Sequence, residues 1–204
     1  MTFYGKRGKF DGLSKKIGKS FAKLGLSPNQ WTLVSVIPAI ASAYFIIQQE
    51  YIPAAALFII AAFLDMVDGA VARATGKASA FGAYLDTMVD RYVEFLIVAA
   101  LMYIAAQGMI PSLFMPAVMW ILLYYVGAIM TSYSKAAAKE KDLITKEIKG
   151  GLIERAERLL ILFAGISLAS ADVLYLTYTI IILAFLTNVT VVQRALLAVR
   201  HSKS

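Results

Sequence analysis

Asp65 and Asp68 stand three residues apart, Asp86 and Asp90 four apart, and all four fall within 26 positions of an otherwise apolar sequence. At helical periodicity each spacing puts a pair of carboxylates on one face. Two such helices joined by a short connection run antiparallel, so the pairs face each other at similar depth. Gly69, Ala72, Gly82 and Ala83 would let the two backbones approach closely. Four ionised carboxylates in a partly dehydrated nest repel one another and need positive charge to hold them. Hard oxygen donors with no nearby His or Cys suit Mg²⁺, Mn²⁺ or Ca²⁺, and four acids are enough for two ions. A two-ion carboxylate site favours phosphate chemistry, because the ions clamp phosphoryl oxygens and stabilise charge on attacking and leaving oxygens. Two other readings stay open on these residues alone. The acids would serve as structural salt bridges to Arg73, Lys77 and Arg91, although three cations are few for four aspartates plus Glu94. Alternatively they would line the path of a cation transporter, although the connections on the far side carry only Glu50 and Asp172 as charges.

The elements that must position these acids belong to lipid. Hydrophobic residues make up 60% of the 204, charged residues 16%, and the mean hydropathy is +0.71, which together indicate an all-α integral membrane protein. Having no cysteine, the chain forms no disulfide, thiolate nucleophile or Cys-ligated zinc site. Its single histidine, His201, lies among polar residues near the C-terminus, so acid/base chemistry falls to carboxylates. The basic, glycine-containing N-terminus has no short apolar run ending in small residues, and no cleavable signal peptide is read there.

Apolar segments long enough to cross a bilayer are predicted near 29–49, 52–73, 82–107, 111–134, 153–171 and 173–197, giving six transmembrane helices. The 20 Lys and Arg residues group in 1–28, 73–91, 135–158 and 194–204, all on one side of a six-span layout. The positive-inside rule then puts both termini and the acidic site at the cytoplasmic face of the cell membrane. This topology and anionic headgroups account for a pI near 9.5 without any nucleic-acid partner. Ahead of the first span, Phe10, Leu13, Ile17, Phe21 and Leu24 recur at helical spacing between Lys15, Lys16, Lys19 and Lys23. They predict an amphipathic interfacial helix within a juxtamembrane segment, 1–27, that leads into the bundle, 28–204, of a single 1–204 domain. The polar run 135–150 reads as a helix extension and loop.

At this point the spacing becomes specific. Asp65-x2-Asp68-Gly69-x2-Ala72-Arg73-x8-Gly82-x3-Asp86-x3-Asp90 resembles, at eight fixed positions, the signature of the CDP-alcohol phosphotransferase family. The resemblance implies a homodimer of six-helix protomers that moves a phosphatidyl-type group from a CDP-lipid, CDP-diacylglycerol or CDP-archaeol, to an acceptor hydroxyl and releases CMP. It implies two Mg²⁺ or Mn²⁺ ions on Asp65, Asp68, Asp86 and Asp90, with Asp90 also the general base. Gly69, Ala72, Arg73 and Gly82 are similar to residues that bind the CDP-lipid, and Asn29 and Thr32 of "PNQWT" to a weaker feature near the nucleotide. For Asn29 a helix-capping role competes with that one.

The family signature does not select an acceptor; the second basic group bears on it. Arg155 and Arg158 share a helix face, and Arg194 sits in an apolar stretch where it must snorkel or meet an anion. With Ser132 and Lys135 they are read as a pocket for an acceptor's phosphate beside the metal site, although Arg155 and Arg158 also have Glu154 and Glu157 to pair with. The "SYSKA", "ERAER" and "QR" elements resemble the branch that accepts myo-inositol 1-phosphate, making phosphatidylinositol or archaetidylinositol phosphate. The run "AAKEK" after Lys135 departs from that branch, and glycerol 3-phosphate is the alternative acceptor.

Overall fold

The computed structural model describes residues 7–141 and 151–202, which are helical apart from their connections. The elements are α1 (Arg7–Ala22), α2 (Pro28–Val34), α3 (Val36–Ile47), α4 (Tyr51–Thr75), α5 (Ala80–Ala106), α6 (Ala117–Glu140), α7 (Arg155–Leu168) and α8 (Val173–Ser202). They divide into two compact units. One holds the described residues up to Ser42 together with Ala56–Ile97; the other holds Ala43–Ala55 and the described residues from Val98 onward.

In the first unit, Ser27 starts α2 through a capping box with Gln30, and Pro28 occupies the first turn, where its missing N–H costs nothing. The predicted first span is not continuous: α2 stops at Val34 and α3 begins at Val36. Pro38 explains the break, since it cannot donate to the carbonyl of Val34 and its ring crowds that oxygen. Gly76, at φ +67°, ends α4, with Lys77 N–H donating to the Ala72 carbonyl at 3.0 Å. Ser79 then starts α5 by accepting from Gly82 N–H at 3.0 Å. Ala39, Ala61, Val89 and Val93 form one buried cluster. Small side chains there let α3, α4 and α5 pack closely. A second cluster of Trp31, Val67 and Val71 receives Ile17 and Phe21 of α1. Phe21 meets Trp31 edge-on, with ring centroids 5.2 Å apart. Two of the five residues of the predicted amphipathic stripe therefore pack on protein. Leu24 lies beyond the end of α1 and is exposed, while the side chains of Phe10 and Leu13 and residues 1–6 lie outside the described residues.

In the second unit, α6 begins at Ala117 rather than at 111, because Pro111–Pro116 form an irregular connection tied by an isolated Leu113–Met115 bridge. The helix continues to Glu140, so the polar run extends it as predicted; residues 142–150 lie outside the described ones. At Gly127 an added Cβ would strike the Thr187 side chain, and Asn188 Nδ2 reaches the Leu123 carbonyl at 3.0 Å. These contacts hold α6 and α8 at close range.

Among the described residues, four helical stretches are long and apolar enough to cross a membrane: Pro28–Ile47, Tyr51–Thr75, Ala117–Glu140 and Val173–Val199. Outward-facing apolar side chains agree with a lipid surround. On α8, Tyr178, Ile182, Phe185, Val189, Val192, Leu196 and Val199 are exposed at alternating steps of three and four, a stripe that water would not tolerate. The other two predicted spans differ in kind. α5 has ample length but carries Asp86, Asp90, Arg91 and Glu94, and the 14 residues of α7 extend only about 21 Å against a hydrocarbon core of roughly 30 Å.

Candidate active site

The first unit brings three of the four predicted acids together. Asp65 and Asp68 project from α4 and Asp86 from α5, each offering a carboxylate oxygen within 4.8 Å of the others. Asp68 is buried, 6% exposed, and Thr32 Oγ1 of α2 donates a hydrogen bond to its Oδ2. Asp90, one turn further along α5, is buried and stands beside that group rather than within it. Arg91 Nη2 lies 3.9 Å from Asp90 Oδ2, while Nη1 donates to Glu94 Oε2 at 2.9 Å. The ion-pair reading is thus realised at Arg91. Arg73 turns elsewhere, its Nη2 donating to Ser14 Oγ at 2.9 Å.

Beside the carboxylates lies a cleft of about 190 Å³. Every residue predicted to bind the CDP-lipid lines it: Asn29, Thr32, Gly69, Ala72, Arg73 and Gly82, together with Asp68 and Asp86. The two glycines keep it open. A Cβ on Gly82 would come 3.1 Å from both Asn29 Oδ1 and Ser79 Oγ, and one on Gly69 would come 3.2 Å from Arg73 Nη1. A ligand can therefore approach the helix backbone at both points.

The second unit assembles the arginines around one residue. Arg158 is 1% exposed and its Nη1 donates to Thr131 Oγ1 at 3.2 Å; Arg194 is 3% exposed and its Nη1 donates to the Thr131 carbonyl. Lys135 Nζ lies 3.9 Å from Glu154 Oε1, and Ser132 and Arg155 are half-buried. Glu154 also opens α7 in a reciprocal capping box with Glu157. Two guanidinium groups buried against one residue repel each other, and an anion relieves that repulsion.

A sequence profile of the CDP-alcohol phosphatidyltransferase family matches residues 26–200, most of the chain. The chain belongs to this family. It is 36% identical over 182 residues to archaetidylinositol phosphate synthase of Pyrococcus horikoshii, covering 88% of this chain and 87% of the relative. It is 35% identical over 191 residues to phosphatidylinositol phosphate synthase of Mycolicibacterium smegmatis, covering 89% and 82%. The crystal structure of Mycobacterium tuberculosis phosphatidylinositol phosphate synthase with CDP-DAG bound superposes with a TM-score of 0.78 at 27% identity, covering 91% of this chain and 92% of that one. The same enzyme in complex with manganese and citrate gives a TM-score of 0.77, also at 27% identity, covering 91% and 88%.

In this member of the CDP-alcohol phosphatidyltransferase family the cleft extends beyond the signature residues. Lys77 and Ser79 also line the cleft. Ser79 is detectable in principle as a capping serine three residues before a glycine at a helix start, but "ATGKAS" reads first as a span boundary. Thr131 has no such signal, because a threonine in an apolar helix is unremarkable until its partners 27 and 63 positions away are known.

Proposed function

We propose that this chain is a membrane phospholipid synthase that transfers a phosphatidyl-type group from a CDP-lipid to a hydroxyl of myo-inositol 1-phosphate, releasing CMP. The observation that carries the reading is the carboxylate group Asp65, Asp68 and Asp86 at the edge of a cleft lined by the family's nucleotide positions. An all-oxygen donor set of this closeness fits Mg²⁺ or Mn²⁺, and Asp65, Asp68, Asp86 and Asp90 would hold two such ions. Bound divalent cations supply Lewis-acid polarisation of the diphosphate and offset the charge on the departing phosphate.

The chain's own residues do the rest. Thr32 fixes the Asp68 carboxylate, Gly69, Ala72 and Gly82 admit the CMP moiety with Asn29 at its flank, and Arg73 steadies the diphosphate. Asp90 takes the proton of the acceptor hydroxyl as its oxygen attacks the β-phosphorus. The bond from that phosphorus to the bridging oxygen then breaks, and CMP leaves with the electron pair. Ser132, Lys135, Arg155, Arg158 and Arg194 receive the acceptor's phosphate, and the buried arginines on Thr131 support this assignment. The names of the two relatives and of the solved neighbours favour inositol phosphate over glycerol 3-phosphate.

In this reading residues 1–204 form a single domain and work as a homodimer. α5 and α7 cross the bilayer with the four apolar helices, and α1 lies at the cytoplasmic interface with its exposed Lys15, Lys16 and Lys19 toward anionic headgroups. The test is to incubate purified protein with a CDP-lipid and Mg²⁺ plus inositol 1-phosphate, glycerol 3-phosphate, serine or no acceptor, and to measure CMP. Release with inositol phosphate alone, lost on chelation and restored by Mn²⁺, is expected. Release with glycerol phosphate instead would overturn the acceptor, and no release with any acceptor would overturn the transferase.

A further inference from the structure

Ser14 on α1 lies outside the cleft, yet its hydroxyl accepts from Arg73 Nη2 at 2.9 Å, joining residues 59 positions apart. The other end of the same guanidinium sits over Gly69, where Nη1 would be 3.2 Å from an added Cβ. Arg73 is thus held between the helix that carries it and the helix packed beside it. What brings Ser14 within reach is Gly18, one turn along the same face of α1. A Cβ on Gly18 would run into the Ala70 carbonyl and come 2.9 Å from Ala74 Cβ, so at that point the backbones of α1 and α4 lie in direct contact. Ile17 and Phe21 then seal the junction against Trp31, Val67 and Val71.

An exposed arginine samples many rotamers and loses that freedom when it binds an anion. A hydroxyl that occupies one N–H lowers this cost while leaving other guanidinium donors for phosphate oxygens. We propose that Ser14 is a positioning residue for Arg73, pre-setting the guanidinium over Gly69 for the diphosphate of the CDP-lipid, so that α1 forms part of the donor site. This rests on the reading of Arg73 as the residue that steadies the diphosphate. A hydroxyl that only fastened α1 to α4 would change stability without discriminating between the two substrates.

Steady-state kinetics on the full chain separate these cases. Ser14→Ala is expected to raise KM for the CDP-lipid about fivefold, with kcat and the acceptor KM held within about twofold. Ser14→Thr, which keeps the hydroxyl, should return KM to near the parent value. Arg73→Ala should raise the same KM further, and adding Ser14→Ala to it should change nothing more. Gly18→Val, which forces α1 away from α4, should reproduce the Ser14→Ala defect if the variant is recovered folded. An unchanged CDP-lipid KM in Ser14→Ala, an equal shift in both substrates, or a full additional loss on top of Arg73→Ala overturns the proposal. If Arg73→Ala leaves the CDP-lipid KM unchanged, the assignment of Arg73 falls and this proposal with it. A defect in Arg73→Ala but none in Ser14→Ala removes only the part given to Ser14.

Discussion

Asp90 differs from the other three acids in its surroundings. Asp65, Asp68 and Asp86 close on one another, whereas Asp90 has Arg91 at 3.9 Å and stands one turn away. That separation suits the base role proposed for Asp90, in which the carboxylate also takes a proton from the acceptor. Asp90→Asn keeps the shape and removes the basic oxygen. Transfer should fall by about 10²–10⁴-fold, while CDP-lipid affinity measured by equilibrium binding changes little. Near-parent turnover would take the base role from Asp90. The acids and glycines of the site were legible in the sequence because the helix period alone decides which of them share a face. Asp90's place outside the trio was not, since a spacing of four puts it on the face of Asp86 without giving its distance from the acids of α4.

The residues proposed to receive the acceptor's phosphate are held by contacts that cross from helix to helix. Thr131 of α6 serves Arg158 of α7 with its hydroxyl and Arg194 of α8 with its carbonyl. Thr131→Val keeps volume and backbone but strips the hydroxyl from a buried cation, a loss on the order of 1.5–3 kcal/mol. The acceptor KM should rise about tenfold or more with the CDP-lipid KM unaltered, and Thr131→Ser should recover it. A variant that shifts both constants equally would reduce Thr131 to a packing residue. Element boundaries were legible where Gly or Ser announces them, as at Gly76 and Ser79. One was misplaced where prolines hide in an apolar run, since residues 111–116 delay α6, whereas Pro38 only interrupts the helix within a first span that runs Pro28–Ile47.

For the whole molecule, apolar segments in the sequence and the grouping of its basic residues predict six crossings, whereas four helical stretches among the described residues are long and apolar enough to cross. α5 carries Asp86, Asp90, Arg91 and Glu94 and α7 has only 14 residues, so both apolar segments fall short of that measure as folded helices. A chain with no cysteine is a clean background for deciding this. Single cysteines replacing Glu50, Lys77, Gln107, Lys139 and Asp172 should be labelled by a membrane-impermeant thiol reagent in intact cells only at Glu50→Cys, Gln107→Cys and Asp172→Cys. Silence at position 107 would keep α5 from crossing, and silence at 172 would do the same for α7. The exposed stripe on α8 runs from Tyr178 to Val199, about 32 Å of helix and close to the roughly 30 Å thickness of a hydrocarbon core. A markedly thinner bilayer would leave part of that stripe in headgroups or tilt the helix. Because Arg194, proposed to receive the acceptor's phosphate, rides on the same rod, hydrophobic mismatch would reach the guanidinium, and under that proposal catalysis becomes sensitive to the chain length of the very lipids in which the protein sits.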